Sequence, residues 1–233
     1  MVKNEKGSFN LDLTLFDLDH TLLAGDSDYL WGRFLVNEGV VDSAHYAREN
    51  ERFHDQYKAG NLDIHAYQRF ALAPLLENSL ETMHALRRDY VERIISPIVA
   101  RHARALIDHH RARGDAIAII TATNRFITEP IAELLDIDAL IATEPEIVDG
   151  AYTGEIAGTP SFQDGKIARA IDWVAEQPQP FQQVTFYSDS LNDLPLLRWA
   201  DTAIAVDPDE TLAAAAREAG WPIISLRGET RPF

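Results

Sequence analysis

Cysteine is absent from all 233 residues, which excludes a disulfide framework, thiolate catalysis and any thiolate metal site, and fits a reducing compartment. Long apolar runs are missing too, and none approaches the roughly 18 consecutive apolar residues of a membrane-spanning helix. The opening residues, Met1-Val-Lys-Asn-Glu-Lys-Gly-Ser8, are polar and lack the apolar segment of a secretory signal. A cytoplasmic protein with no membrane partner is therefore expected. Basic side chains are scarce, 21 against 37 acidic ones, for a formal charge of -16. Such an excess repels nucleic-acid backbones and anionic lipid, so no nucleic-acid partner is expected either. A small anionic substrate stays compatible, because one divalent cation and one lysine can reverse the field inside a single cleft. Repeats and low-complexity segments are also lacking, while 46% hydrophobic and 25% charged residues suit a globular chain with a full core.

What is present is organised around one stretch. Leu11 to Phe16 is an apolar run that ends abruptly in Asp17-Leu-Asp19-His-Thr21. The run reads as a central strand of a parallel sheet, apolar nearly throughout because both faces are covered. A buried strand has no structural use for Asp17, and clustered carboxylates at a sheet mouth call for a bound cation or a catalytic assignment.

After Leu23 the pattern turns helical. Helices are expected over Tyr29 to Asn37, after a cap at Asp42, from Asp63, and from Ser79 through Tyr90 and Ile94. Ser96-Pro97 reads as the start of a further helix running to Arg113-Gly114. Strands then alternate with helices: Ala116 to Thr121, Leu140 to Ala142 and Val184 to Tyr187 are strands, and Val148 to Tyr152 is a hairpin turning at Asp149-Gly150. The resulting fold class is α/β, a doubly wound, Rossmann-like parallel sheet with an inserted all-helical cap. The expected division is a core of residues 1–24 and 97–233 and a cap of residues 25–96.

The unusual polar groups fall at strand ends, which in such a sheet face one crevice. Asp17 and Asp19 follow the first strand, Thr121 the second, and Asp189 and Asp193 the fourth, while Lys166 opens a helix. Acids, a hydroxyl and an ammonium around one cleft suit a phosphate held by Mg²⁺. Simpler roles exist for several of them: turn hydroxyls for Thr21 and Thr121, a helix cap for Asp193, a solvated surface for Lys166. His109-His110 sits on a helix where adjacent side chains diverge, which argues against a zinc pair.

Asp17-Leu-Asp19-His-Thr21, the strand ending at Thr121, Lys166 and Asp189-Ser-Leu-Asn192-Asp193 together resemble the four motifs of the haloacid dehalogenase superfamily. The insertion after the first motif resembles the small cap of its phosphoserine-phosphatase-like branch, which includes bacterial histidinol-phosphate phosphatases. The resemblance implies Asp17 as nucleophile, forming an aspartyl-phosphate, and Asp19 as general acid and base. It implies that Thr121, the backbone N–H of Ala122, Lys166 and Asn192 hold the phosphate. Mg²⁺ would be bound by Asp17, the Asp19 carbonyl and Asp189, with Asp193 supporting from behind.

Two departures narrow the substrate. Ser188 stands where the superfamily usually has glycine. In the cap, Asp26 falls about where phosphoserine phosphatases place a glutamate for the substrate ammonium, but no arginine stands out to meet a carboxylate, although Arg52 and Arg69 are present. A cationic ester without a carboxylate, such as L-histidinol phosphate, suits Asp26, Asp28, Glu49 and Glu51 better, with Trp31, Phe53 or Tyr57 available to stack an imidazole. Core packing is the plainer reading of those aromatics. The expected function is thus Mg²⁺-dependent hydrolysis of a small phosphate monoester by a monomer or homodimer. The alternatives are a phosphoserine or broad-specificity phosphatase, a phosphotransferase, and a silent phosphate-binding protein.

Overall fold

In the computed structural model, which describes residues 11–233, β1 (Leu13–Phe16) is followed by four helices, α1 (Ser27–Asn37), α2 (Ser43–Lys58), α3 (Ile64–Glu77) and α4 (Leu80–Tyr90). Then come α5 (Ala103–Arg113), β2 (Ala116–Asn124), α6 (Arg125–Leu134), β3 (Ala139–Thr143) and a hairpin of β4 (Pro145–Val148) and β5 (Ala151–Ile156). The chain closes with α7 (Asp164–Ala175), β6 (Val184–Ser188), α8 (Leu194–Trp199), β7 (Thr202–Val206), α9 (Glu210–Ala219) and β8 (Ile223–Ile224). The opening polar segment lies outside the described residues.

Six of the strands form one sheet in the order β3-β2-β1-β6-β7-β8, with every pairing parallel. Leu13 lies opposite both Ala116 and Val184. Strand alternation splits the core. Leu13 and Leu15 point into a cluster with Ala170, Leu196, Leu197 and Leu212 from α7, α8 and α9. Phe16 points to the other face, among Leu106, Ile107 and Ile131 from α5 and α6. The chain leaves β1 for β2 and β3 on one side and later returns to β6, β7 and β8 on the other. The winding therefore reverses between β1 and β6, and at that point the flanking loops part and leave a crevice at the carboxyl ends.

Helices α1 to α4 sit between two adjacent strands and cannot enter the sheet. Three are capped as their sequences predict: Asp42 accepts from the His45 N–H (2.7 Å), Asp63 from Ala66 (3.0 Å) and Ser79 from Thr82 (3.2 Å). Where the chain leaves the core and returns, Leu23 pairs antiparallel with Val99. The Ala24 N–H donates to the Ile98 carbonyl (2.7 Å) and Ala100 to Leu22 (2.9 Å). This neck corrects the expectation of a continuous helix from Ser96. Ser96–Ile98 makes only one tight turn, and α5 begins at Ala103. Pairing across the neck takes Val99 into extended backbone, overriding the local signal of Pro97.

The hairpin turns at Asp149 (φ 52°) and Gly150 (φ 80°), the two left-handed residues a two-residue turn requires. It packs beneath α3, where a side chain on Gly154 would collide with Leu76. Among the described residues no helix is long and apolar enough to cross a membrane.

Candidate active site

The β1 ladder carries Asp17 to the switch point, where its N–H donates to the Tyr187 carbonyl (2.9 Å). Its side chain is buried, with Oδ1 accepting from Lys166 Nζ at 2.7 Å. Lys166 also donates to Asp193 Oδ2 at 2.6 Å and is only 2% exposed. It reaches this depth because Gly165 before it lies against the Pro160 carbonyl, where any side chain would collide. Burial alone would depress the ammonium, but Asp17 and Asp193 outweigh it and keep Lys166 protonated above its usual range.

Thr21 Oγ1 lies 3.2 Å from Asp17 Oδ2 and 3.2 Å from Asp189 Oδ1, and it accepts from the Asp189 N–H (3.1 Å). Asp189 is pushed well above the usual carboxylate range by burial and by Asp17 and Asp193. Asp193 is pushed up to about 6 by burial, with Lys166 opposing. Three carboxylates thus share one ammonium. The excess negative charge fits a divalent cation, for which the Asp17 and Asp189 carboxylates, both within 3.2 Å of Thr21 Oγ1, are the available side-chain oxygens. Among the described residues no three His, Asp or Glu side chains close into a cage.

Asp19 stands beside this cluster. Its Oδ1 accepts from the Ser27 N–H (2.6 Å), at the start of α1, and its Oδ2 from Thr123 Oγ1 (2.9 Å). Burial and then Asp26 push its carboxyl up to about 7, against the Ser27 bond. The turn that follows is made by His20 in the left-handed region (φ 57°), whose N–H reaches the Gly25 carbonyl at 3.0 Å. Thr121, Ala122, Lys166, Asn192 and Asp193 line the same cleft as Asp17 and Asp19. Thr121 Oγ1 accepts from the Thr123 N–H (3.2 Å). Asn192 donates to the Tyr57 carbonyl (3.4 Å) and accepts from Gln163 (3.2 Å).

Two contributors escaped the sequence reading. Thr123, two residues beyond Thr121 and so on the same side of an extended chain, grips Asp19; that spacing was the available signal. Ser188 does more than replace a glycine, since its hydroxyl donates to Asp193 Oδ2 (2.7 Å) and accepts from the Ser190 N–H (3.2 Å).

From the cap, Asp26, Asp28, Tyr29, Asn50, Phe53, His54, Tyr57 and Tyr67 face the cleft. Asp26 caps α1 by accepting from the N–H groups of Asp28 (3.0 Å) and Tyr29 (2.9 Å). It also pairs with His54 Nδ1 at 3.4 Å. Burial would raise its carboxyl, but the bonds from His54 and Tyr29 hold it below the usual value. Asp28 differs: its Oδ1 is buried with no hydrogen-bond partner. Burial and then Asp26 push Asp28 well up, opposed by a bond from the Tyr67 hydroxyl.

Two residues expected at the substrate are not brought to the cleft. Trp31 is buried among Phe34, Tyr90 and Phe126, because α1 is covered on the side away from the cleft as well. Arg52 is paired with Glu49 at 2.7 Å and lies over the Phe53 ring at the surface. Glu49 is thereby occupied, and Glu51 accepts from the Tyr29 hydroxyl (2.9 Å).

Residues 14–198 match the family model of the haloacid dehalogenase-like hydrolases. The chain is 41% identical over 220 residues to a histidinol-phosphatase of Neisseria meningitidis serogroup C, covering 93% of this chain and 99% of that protein. It is 31% identical over 223 residues to phosphoserine phosphatase SerB1 of Mycobacterium tuberculosis, covering 93% and 72%. Among solved structures, a protein of unknown function from Bordetella pertussis superposes with a TM-score of 0.88 at 40% identity, covering 94% of this chain and all of that one. A substrate-bound phosphoserine phosphatase gives 0.65 at 18% identity, with 94% of each chain covered, a likeness of fold.

Proposed function

The chain belongs to the haloacid dehalogenase-like hydrolase family and is a phosphatase, and from that premise we propose that it hydrolyses L-histidinol phosphate through an aspartyl-phosphate on Asp17. For the chemistry, the supporting observation is Lys166 held between Asp17 and Asp193 beside Asp19. Lys166 pairs with Asp17 at 2.7 Å and meets the charge of the transferring phosphoryl group. Asp17 attacks phosphorus as the bond to the ester oxygen breaks, and Asp19 gives its proton to that oxygen. Asp19, now ionised, takes a proton from water, whose oxygen attacks phosphorus and releases Asp17 and inorganic phosphate. A carboxyl pushed up to about 7 can do both near neutral pH. Thr121, the Ala122 N–H and Asn192 hold phosphate oxygens. Mg²⁺, held by Asp17, the Asp19 carbonyl and Asp189 with Asp193 behind them, would supply further neutralisation of the phosphoryl charge.

Residues 25–96 act as the cap over a core of 1–24 and 97–233, of which residues 1–10 lie outside the described residues. Core and cap residues line the cleft together, so substrate enters when the cap lifts and reacts when it seats. The single observation favouring histidinol phosphate is the unpartnered Oδ1 of Asp28, a buried acceptor suited to a substrate ammonium. Among the described residues none lining the cleft is an arginine, which disfavours the carboxylate of phosphoserine. Asp26 sits nearby, but its oxygens serve α1 and His54.

The test is phosphate release by purified protein with Mg²⁺ across histidinol phosphate, phosphoserine and sugar and nucleotide monophosphates. Preference for histidinol phosphate by at least an order of magnitude is expected; broad turnover with no such preference refutes the substrate. Competing alcohols added to the assay separate hydrolysis from transfer, which would yield new esters in place of free phosphate. A cytoplasmic site of action fits the same reading.

A further inference from the structure

Tyr90 is fully buried at the end of α4, far in sequence from every motif, and its hydroxyl donates to the Ser27 carbonyl at 2.5 Å. The N–H of that same residue donates to Asp19 Oδ1 at 2.6 Å. The peptide joining Ser27 to Asp28 is thus held at both ends: Tyr90 binds its oxygen, and Asp26 Oδ1 takes its N–H at 3.0 Å. A clamped peptide restricts rotation about Ser27, and so restricts where the Ser27 N–H points. On its other side Asp19 is met by Thr123 at 2.9 Å, from the rigid end of β2.

From this geometry we propose that Tyr90 is a positioning residue for proton transfer, aiming Asp19 at the ester oxygen through the Ser27 backbone and so coupling seating of the cap to the acid. This rests on the reading of Asp19 as proton donor. Tyr90 touches neither Asp19 nor the cleft; its ring packs on Trp31 (5.1 Å between centroids) and Phe34 (5.5 Å). Losing the hydroxyl leaves that packing in place.

Donation of a proton matters most when the departing oxygen is strongly basic and least when it leaves as a stable anion. The experiment is therefore kcat/KM for a graded series of aryl and alkyl monophosphates, with wild type, Tyr90→Phe and Asp19→Asn. General acid catalysis contributes typically 10²–10⁴-fold. Tyr90→Phe is expected to lose part of it, about tenfold on the most basic leaving groups and less than about threefold on p-nitrophenyl phosphate, steepening the dependence in the direction of Asp19→Asn. Equal loss across the series, or no loss, overturns the brace while leaving Asp19 as the acid. A flat response of Asp19→Asn refutes the acid assignment, and the brace with it. Thermal melts accompany the assay. If Tyr90→Phe does not fold, Tyr90→Met, which fills the site without a hydroxyl, carries the same comparison.

Discussion

Replacing Asp28 by Asn should stabilise the protein at neutral pH while weakening its hold on a cationic substrate. Asp28 is 7% exposed, its buried Oδ1 lacks a partner, and burial with Asp26 pushes its proton affinity well above normal. In the unfolded chain the same group ionises near pH 4. Between that pH and the folded value, the folded protein holds a proton the unfolded chain has released, so stability falls as pH rises through the window. The loss is about 1.4 kcal/mol per pH unit and cannot exceed about 4 kcal/mol at pH 7, because the carboxyl can simply stay protonated. Asn keeps the shape and still accepts from Tyr67, but has nothing to ionise. At about 2–4 °C per kcal/mol for a chain of this size, the variant should melt several degrees higher at pH 7, with the difference vanishing near pH 4. Melting curves of both proteins from pH 4 to 7.5 in chelator measure this, and titrations common to both cancel. A variant less stable at pH 7, or an offset independent of pH, would refute the reasoning. The same variant should raise KM for histidinol phosphate, because an ammonium brought beside Asp28 draws off the carboxyl proton and gains an ion pair that the amide cannot form.

Asp17→Asn should fold normally and release no phosphate above background from any ester; near-native turnover would refute the mechanism. Lys166→Met should abolish activity and, by leaving Asp17 and Asp193 facing each other in a buried site, cost about 3–5 kcal/mol in urea unfolding at pH 7. That deficit should shrink toward pH 5, as Asp193, already up to about 6 beside the lysine, takes a proton. Excess chelator should stop phosphate release and Mg²⁺ restore it. The ion should also raise the melting point, by about 2.7 kcal/mol of stabilisation at a hundred times its Kd, a readout independent of turnover.

The parts of the fold legible in the sequence are those decided locally. An apolar strand must end somewhere, and Asp17, Thr121 and Asp189 mark those ends by chemistry that does not belong in a core. Asp42, Asp63 and Ser79 announce their helices because a cap bonds residues only three positions on. Where partners lie far apart the sequence is silent. His110 bonds the Tyr187 hydroxyl (2.9 Å) and Thr14 Oγ1 (3.0 Å) across the β1 face, a network no spacing rule reveals. Trp31 misleads because α1 is apolar on more than one side, so its pattern cannot say which aromatic looks into the cleft. Asp26 and Asp28 look alike on paper, and only the distribution of hydrogen bonds distinguishes the occupied acid from the open one.

The single antiparallel bridge between Leu23 and Val99 makes the entry and exit of the insertion immediate neighbours, above two strands that are themselves adjacent and in register. A loop closed at such a point is thermodynamically almost indifferent to its own length, since each doubling adds only about 0.6 kcal/mol. The neck is therefore a splice point. Everything between its two sides could be exchanged for a segment of another size and shape without disturbing the sheet or the lysine beneath it. Substrate choice can then diverge on a single contiguous stretch of chain while the nucleophile and the lysine stay in the discontinuous core, so long as the exchanged segment still brings an N–H to Asp19 as Ser27 does.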